Sequence, residues 1–137
     1  MTLVDTSAWV EYLRATGSTT HRAVRRLLDR DEPAYTTDVV VMEVLAGARD
    51  DDHRDRLRRL LARCEHVPVE GLDDFEAAAE LYRTCRRGGE TARALTDCLI
   101  AVVALRASLL VLHADRDFEV LERHTGLRAD RGGRSRR

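Results

Sequence analysis

Four acidic residues stand where an alternating strand–helix chain can gather them. They are Asp5 in "TLVD", Glu43 in "VVVMEVLAG", Asp97 at the head of "DCLIAVVALRA" and Asp115 at the end of "SLLVLHAD". Glu43 poses the sharpest question, because valine, methionine and leucine surround it. A lone carboxylate among such neighbours costs several kcal/mol unless it is paired, protonated or bound to a cation. Each acid also has a plain structural role open to it. Asp5 and Asp115 suit helix N-caps, Asp97 can complement a helix dipole, and Glu43 can pair with a buried arginine.

Convergence of the four would require that some be protonated or that a divalent ion neutralise them. Two like charges 5 Å apart repel by about 3 kcal/mol at an effective dielectric near 20. An all-oxygen ligand set favours a hard cation, Mg²⁺ or Mn²⁺, over zinc. None of the five histidines falls in an HExxH or a Cys/His spacing, which agrees with that choice. Such an ion keeps positions free for water and phosphate oxygens, the requirement of in-line phosphodiester hydrolysis. Asp5, Asp97 and Asp115 are expected as direct or water-mediated ligands. Glu43 is expected as a ligand or as the group that orients and deprotonates the water. Thr6 and Ser7 are placed to hold the Asp5 carboxylate through their hydroxyls, although capping of their own helix explains them equally well.

The elements that must position these residues can be read from hydrophobic spacing. "TLVD" (2–5) is a strand, followed by a helix with Trp9, Tyr12 and Leu13 on one face. A second helix carries Val24, Leu27 and Leu28 and stops before Pro33. "AYTT" (34–37) is a short strand, and Asp38 opens the helix of Glu43, which Gly47 helps to end. Glu43 lies roughly 7 Å into that helix, and its backward lean lets it reach the rim of a sheet. Leu57, Leu60, Leu61 and Cys64 mark an amphipathic helix with an arginine-rich outer face. "HVPV" is a weak strand that Pro68 confines to an edge or an end. Phe75, Ala78, Ala79, Tyr82 and Cys85 mark a helix from about Asp73 to Arg87, broken by the glycines of "RRGGE". Thr96 is expected to cap a buried helix, "SLLVLHAD" to be the clearest strand, and "RDFEVLERH" to be a last short helix ending at Gly126. Strands alternating with helices give an α/β domain whose central sheet is mainly parallel and flanked by helices. Ligands in such sheets gather beyond the carboxyl ends of the strands. The domain is expected to span 1–128, with 129–137 a flexible basic tail.

The bulk composition agrees with one soluble globular domain. The chain has 137 residues, 44% hydrophobic and 34% charged, with a net charge of −1. That balance excludes a globally basic nucleic-acid binder but not a local positive patch. All 23 basic residues are arginine, whose guanidinium fork suits phosphate recognition. Cys64, Cys85 and Cys98 are expected to be reduced core residues, consistent with a cytoplasmic protein. No secretory leader is expected, and the longest apolar run is too short to span a bilayer.

Taken in order, "LVDTSAWVEYLR", "TDVVVMEVLAG", "LTDCLIAVVAL" and "HADRDFE" resemble the PIN domain, and more closely the VapC toxins of bacterial VapBC toxin–antitoxin pairs. The likeness runs from roughly Leu3 to Leu127. It implies a PIN-like three-layer fold and a Mg²⁺-dependent endoribonuclease (Mn²⁺ as a substitute) that cuts RNA. It also implies a cognate VapB-type antitoxin, docked among the N-terminal helices, and a homodimer. The acids matching Asp5, Glu43, Asp97 and Asp115 form the active site of that family, and Asp117 sometimes assists. Relatives often carry threonine and asparagine just before the fourth acid, where this chain has His113 and Ala114. His113 is expected to be a partly buried structural histidine, and Asp117 an exposed residue of a helix's first turn.

RNA would need positive charge beside an acidic cleft, and Arg14, Arg86, Arg87, Arg93 and Arg116 are the candidates. A haloacid-dehalogenase phosphatase would need a second aspartate at position 7, which is Ser7. An RNase H-like nuclease would need an early antiparallel hairpin. The remaining alternative is a catalytically inactive PIN-like RNA- or protein-binding module, for which a self-repelling acid cluster has no use.

Overall fold

Strand β1 (Thr2–Val4) is buried along its whole length, and Asp5 follows it directly. The structure, a computed structural model, describes residues 1–30 and 32–132. Strand β2 (Ala34–Thr36) pairs parallel with one side of β1, and β4 (Leu110–Leu112) pairs parallel with the other. The edge strand β3 (Glu65–His66) lies parallel to β2, giving the order β3-β2-β1-β4. Strand order therefore reverses between β1 and β4. Their carboxyl ends open a crevice at that switch point, the usual ligand position of an open parallel sheet.

The helices carry the chain between strands. Helices α1 (Thr6–Leu13) and α2 (Thr19–Asp29) pack on each other, and α3 (Asp38–Ala46) touches α1 and α4 (Asp51–Leu61). Helix α5 (Gly71–Arg87) packs chiefly on α6 (Leu95–Arg106), and α7 (Arg116–His124) touches both. In α6 every residue from Asp97 to Ala104 is buried, as expected of a helix apolar on all sides. The core joins that helix to β1, β4, Trp9, Val40 and Phe118. Cys85 and Cys98 are buried in it, and all three cysteines are free thiols.

Several local expectations shift. The edge strand falls at Glu65–His66 rather than "HVPV"; Val67 still donates to the Thr36 carbonyl at 2.9 Å, and Pro68, which has no N–H, ends the ladder. Thr96 does not cap α6. The helix starts two residues earlier, at Leu95, Ala94 occupies the cap position, and no side chain caps it. The described part of the predicted tail is paired rather than loose. Val111 N–H donates to Arg128 O, and Asp130 N–H to Val111 O, so residues 128–130 line the outer side of β4. Residues 133–137 of that predicted tail lie outside the described residues.

Candidate active site

The carboxyl end of β1 places Asp5, and α3 carries Glu43 to the first turn of α1. Asp5 is 1% exposed and caps α1. Its Oδ2 accepts from Ser7 N–H at 2.9 Å and Ser7 Oγ–H at 2.6 Å. Its Oδ1 is buried with no hydrogen-bond partner. The Ser7 hydroxyl also accepts from Ala114 N–H at 2.9 Å, which ties the end of β1 to the corner after β4. Thr6 departs from expectation: its hydroxyl donates to Glu43 Oε1 at 2.6 Å instead of holding Asp5. Glu43 is half-buried, and its helix is less enclosed than its apolar sequence suggested, since Met42 beside it is 58% exposed. Its carboxylate leaves the core and meets the rim of the sheet.

Helices α6 and α7 place the other acids. Asp97 lies in the first turn of α6 and is buried. Asp115 caps α7 by accepting from Asp117 N–H at 2.9 Å. Asp117 is not the exposed residue its helical pattern suggested. It is 4% exposed, and its Oδ2 accepts from both Arg93 N–H and Ala94 N–H at 2.9 Å. Those two donors immediately precede α6, so Asp117 holds the chain where it enters that helix. Asp117 Oδ1, like Asp5 Oδ1, is buried without a partner. Carboxylate oxygens of Asp97, Asp115 and Asp117 lie within 4.8 Å of one another. Asp5 and Glu43 stand outside that triad but close enough for their charges to act on Asp97.

The electrostatics are one-signed. Burial, then the negative charges of Asp5, Asp115, Asp117 and Glu43, push the Asp97 carboxyl up to about 8. Burial also raises Asp5, against the opposing donors of Ser7. Removing water penalises the charged form, and like charges add to the penalty. Two acids thus each anchor one oxygen and leave the other buried and unbonded. That is the donor set a divalent cation completes, and carboxylate oxygens suit a hard ion. The residues present therefore fit Mg²⁺ or Mn²⁺, with Asp117 added to the expected ligands. The resemblance to the family, in which this acid sometimes assists, was the sequence signal for it.

His113 is the structural residue expected. Its Nδ1 accepts from Asp115 N–H at 3.2 Å, its Nε2–H donates to Glu122 at 2.8 Å, and its ring stacks on Phe118. Arg14, Arg86, Arg87, Arg93 and Arg116 are all exposed. Arg86 lies over the Tyr82 ring, Arg87 donates to Thr84 Oγ1, and Arg116 approaches Glu90 at 3.9 Å. Arg93 stands on the loop whose backbone Asp117 holds.

Comparison with known proteins gives a consistent result. Residues 2–123 match the PIN domain family. Ribonuclease VapC11 of Mycobacterium tuberculosis is 46% identical over 130 residues, covering 94% of this chain and 97% of the relative. The crystal structure of VapBC2 from Rickettsia felis, bound to a DNA fragment from its promoter, superposes with a TM-score of 0.72 at 15% identity, covering 94% of this chain and 96% of that one. That of Mycobacterium tuberculosis VapC20, described as a Sarcin-Ricin loop cleaving toxin, gives 0.64 at 21% identity over 87% and 93% of the chains. The two structures speak for the fold, and the family match and the close relative speak for descent. An acid cluster at the switch point of a four-stranded parallel sheet, together with those matches, means that the chain belongs to the PIN domain family, among the VapC ribonucleases.

Proposed function

We propose that this protein is the toxin of a VapBC-type pair, an endoribonuclease that hydrolyses RNA phosphodiester bonds with Mg²⁺ or Mn²⁺ held by carboxylates. The observation that carries this reading is the pair of buried, unbonded oxygens, Asp5 Oδ1 and Asp117 Oδ1, in a cleft where the charges of Asp5, Asp115, Asp117 and Glu43 all act on Asp97. Asp97, Asp115 and Asp117 would hold the ion, with Asp5 as a direct or water-mediated ligand. Bound there, the cation would lower the pKa of the attacking water and offset charge on the phosphate.

The chain's own residues do the positioning. Ser7 fixes Asp5 and, through Ala114, the corner that carries Asp115. Thr6 occupies Glu43 Oε1, which leaves Oε2 to orient a water and take its proton. Exposed Arg14, Arg86, Arg87, Arg93 and Arg116 would meet RNA phosphates around the acids. An antitoxin of VapB type would silence the enzyme, and a second copy would cover the exposed Met42 face of α3. No helix among the described residues is long and apolar enough to cross a membrane, and the proposed place of work is the cytoplasm.

Calorimetric titration with Mn²⁺ and an RNA cleavage assay, on wild type and Asp5→Asn, test the proposal. Wild type should bind Mn²⁺ and cut, and Asp5→Asn should lose at least about 100-fold in turnover, a few kcal/mol of transition-state stabilisation. Metal binding without cleavage of any RNA would favour the inactive binding module instead.

A further inference from the structure

We propose that Glu90 is a positioning residue for the acid site: clamped by Arg123 and His124, it fixes the loop 88–94 and so sets where Asp97 and Asp117 stand relative to each other. The inference rests on the metal-site reading above. Glu90 touches none of the site acids and would act only through the loop.

The loop joins α5 to α6 and is gripped by α7 at both of its ends. At the near end, Glu90 Oε1 accepts from Arg123 Nε at 2.9 Å and is 2.8 Å from His124 Nε2, while Oε2 accepts from Arg123 Nη2 at 2.6 Å. Arg116 Nη2 stands 3.9 Å from the same Oε2. A forked guanidinium and an imidazole on one carboxylate define its place far better than a single ion pair does. Those partners hold the Glu90 carboxyl down at about 2, so the clamp keeps its anion across the working range of pH. Gly88 completes the grip. A Cβ there would come within 2.4 Å of His124 Nδ1 and 2.5 Å of Cε1, so the ring lies directly against the loop backbone. Its φ of −80° is ordinary, which makes space rather than conformation the reason for glycine.

Ala92, between the two grips, is fully buried. At the far end, Arg93 and Ala94 give both of their N–H groups to Asp117 Oδ2. Helix α6 has no side-chain cap of its own, so its start is located by this loop. Asp97 lies three residues beyond Ala94. Releasing Glu90 frees the loop, loosens the two donors on Asp117 and lets the first turn of α6 drift. A sub-ångström shift there changes the spacing of the Asp97, Asp115 and Asp117 oxygens. Groups that orient metal ligands are typically worth about 10- to 100-fold in metal affinity.

The test uses the full chain and Mn²⁺ as probe. Glu90→Ala, Glu90→Gln and Gly88→Ala are compared with wild type by calorimetric Mn²⁺ titration, by kcat and KM for RNA cleavage, and by thermal melting. Glu90→Ala should weaken Mn²⁺ binding about tenfold and lower kcat with little change in KM. Glu90→Gln keeps an acceptor for Arg123 and should fall between Glu90→Ala and wild type. Gly88→Ala, which displaces the His124 ring while leaving Glu90 in place, should move in the same direction. A lowered melting temperature with unchanged Mn²⁺ affinity and kcat, measured well below the melt, would reduce Glu90 to a stability role and overturn the proposal. Where Glu90→Ala does not fold, unchanged Mn²⁺ affinity in the other two variants overturns it equally. Wild type that binds no Mn²⁺ would overturn the metal-site reading itself, and the proposal with it.

Discussion

Asp74 and Asp97 are the same residue in nearly the same setting, and the molecule treats them in opposite ways. Both lie in the first turn of a helix, α5 and α6, which pack on each other, and both are buried. Asp74 accepts from Arg106 Nη2 at 2.8 Å and from Glu70 N–H at 2.7 Å, and these partners hold its carboxyl below the usual range. Burial, and then the charges of four other acids, push Asp97 up to about 8. A compensated buried carboxylate joins parts of the fold, since Arg106 also reaches Pro68 O and Glu70. An uncompensated one is kept for something the chain does not itself provide. Burial alone does not separate the two kinds; the charge of the neighbours does.

Exchanging the carboxyl for an amide at each position should break the contrast most sharply. Asp97→Asn should cut RNA turnover at least about 100-fold while leaving the metal-free protein at neutral pH as stable as wild type or more so. Asp74→Asn should leave turnover within about twofold and cost about 2 kcal/mol of stability in urea, reduced from the usual 3–5 because Arg106 retains some solvent. Turnover that collapses only in Asp74→Asn would invert the assignment.

The two aspartates also diverge with pH. The folded form of Asp97 holds a proton that the unfolded chain has lost above its ordinary value of 3.8. Raising the pH from about 4 towards 8 therefore removes stability from the metal-free protein. Asp74, whose folded value is lowered, contributes stability above 3.8 and loses it only as the pH falls below that point. Melting temperature should thus decline between pH 4 and 8 without metal, recover on adding Mg²⁺ at the upper end, and decline less in Asp97→Asn. Mg²⁺ affinity should climb over the same window, because binding must displace the Asp97 proton. A flat melting profile in wild type would count against the uncompensated site.

The arginines offer the same contrast with a smaller effect. Exposed Arg93 should act on RNA, whereas Arg106 is engaged by Asp74 and Glu70. Arg93→Ala should weaken RNA binding a few-fold and lower the slope of log affinity against log salt by about 0.7, the value for one single-strand phosphate. Arg106→Ala should leave that slope unchanged and lower the melting temperature.

How much of this was legible follows from where each signal resides. Asp5 and Asp115 could be placed because each follows an apolar run that reads as a strand, and parallel strands present their ends to one side. Asp97 could be placed because the rest of its helix is apolar, so its charge has to emerge at the helix start. Asp117 was misjudged because its partners are the backbone N–H groups of Arg93 and Ala94, more than twenty residues away, and a main-chain donor leaves no trace in composition. Thr6 was assigned to Asp5 on adjacency, whereas the geometry of α3 brings Glu43 to it. Thr96 looked like a cap, but the helix already begins at Leu95, so Thr96 lies inside its first turn and Ala94 takes the cap position. The uniform apolar run around Glu43 could not tell which face of α3 is open, because periodicity carries no information where every position is hydrophobic.

The segment that lines β4 also decides how this sheet can be approached. Arg128 and Asp130 occupy backbone groups on the outer side of β4, and the opposite edge is a two-residue strand of exposed Glu65 and His66. Neither border offers a long, bare ladder, so strand addition is a poor route for a partner, and recognition falls to side-chain surfaces. Ending the chain before Arg128 would strip that cover and bare Leu110–Leu112, an apolar template for sticky self-association.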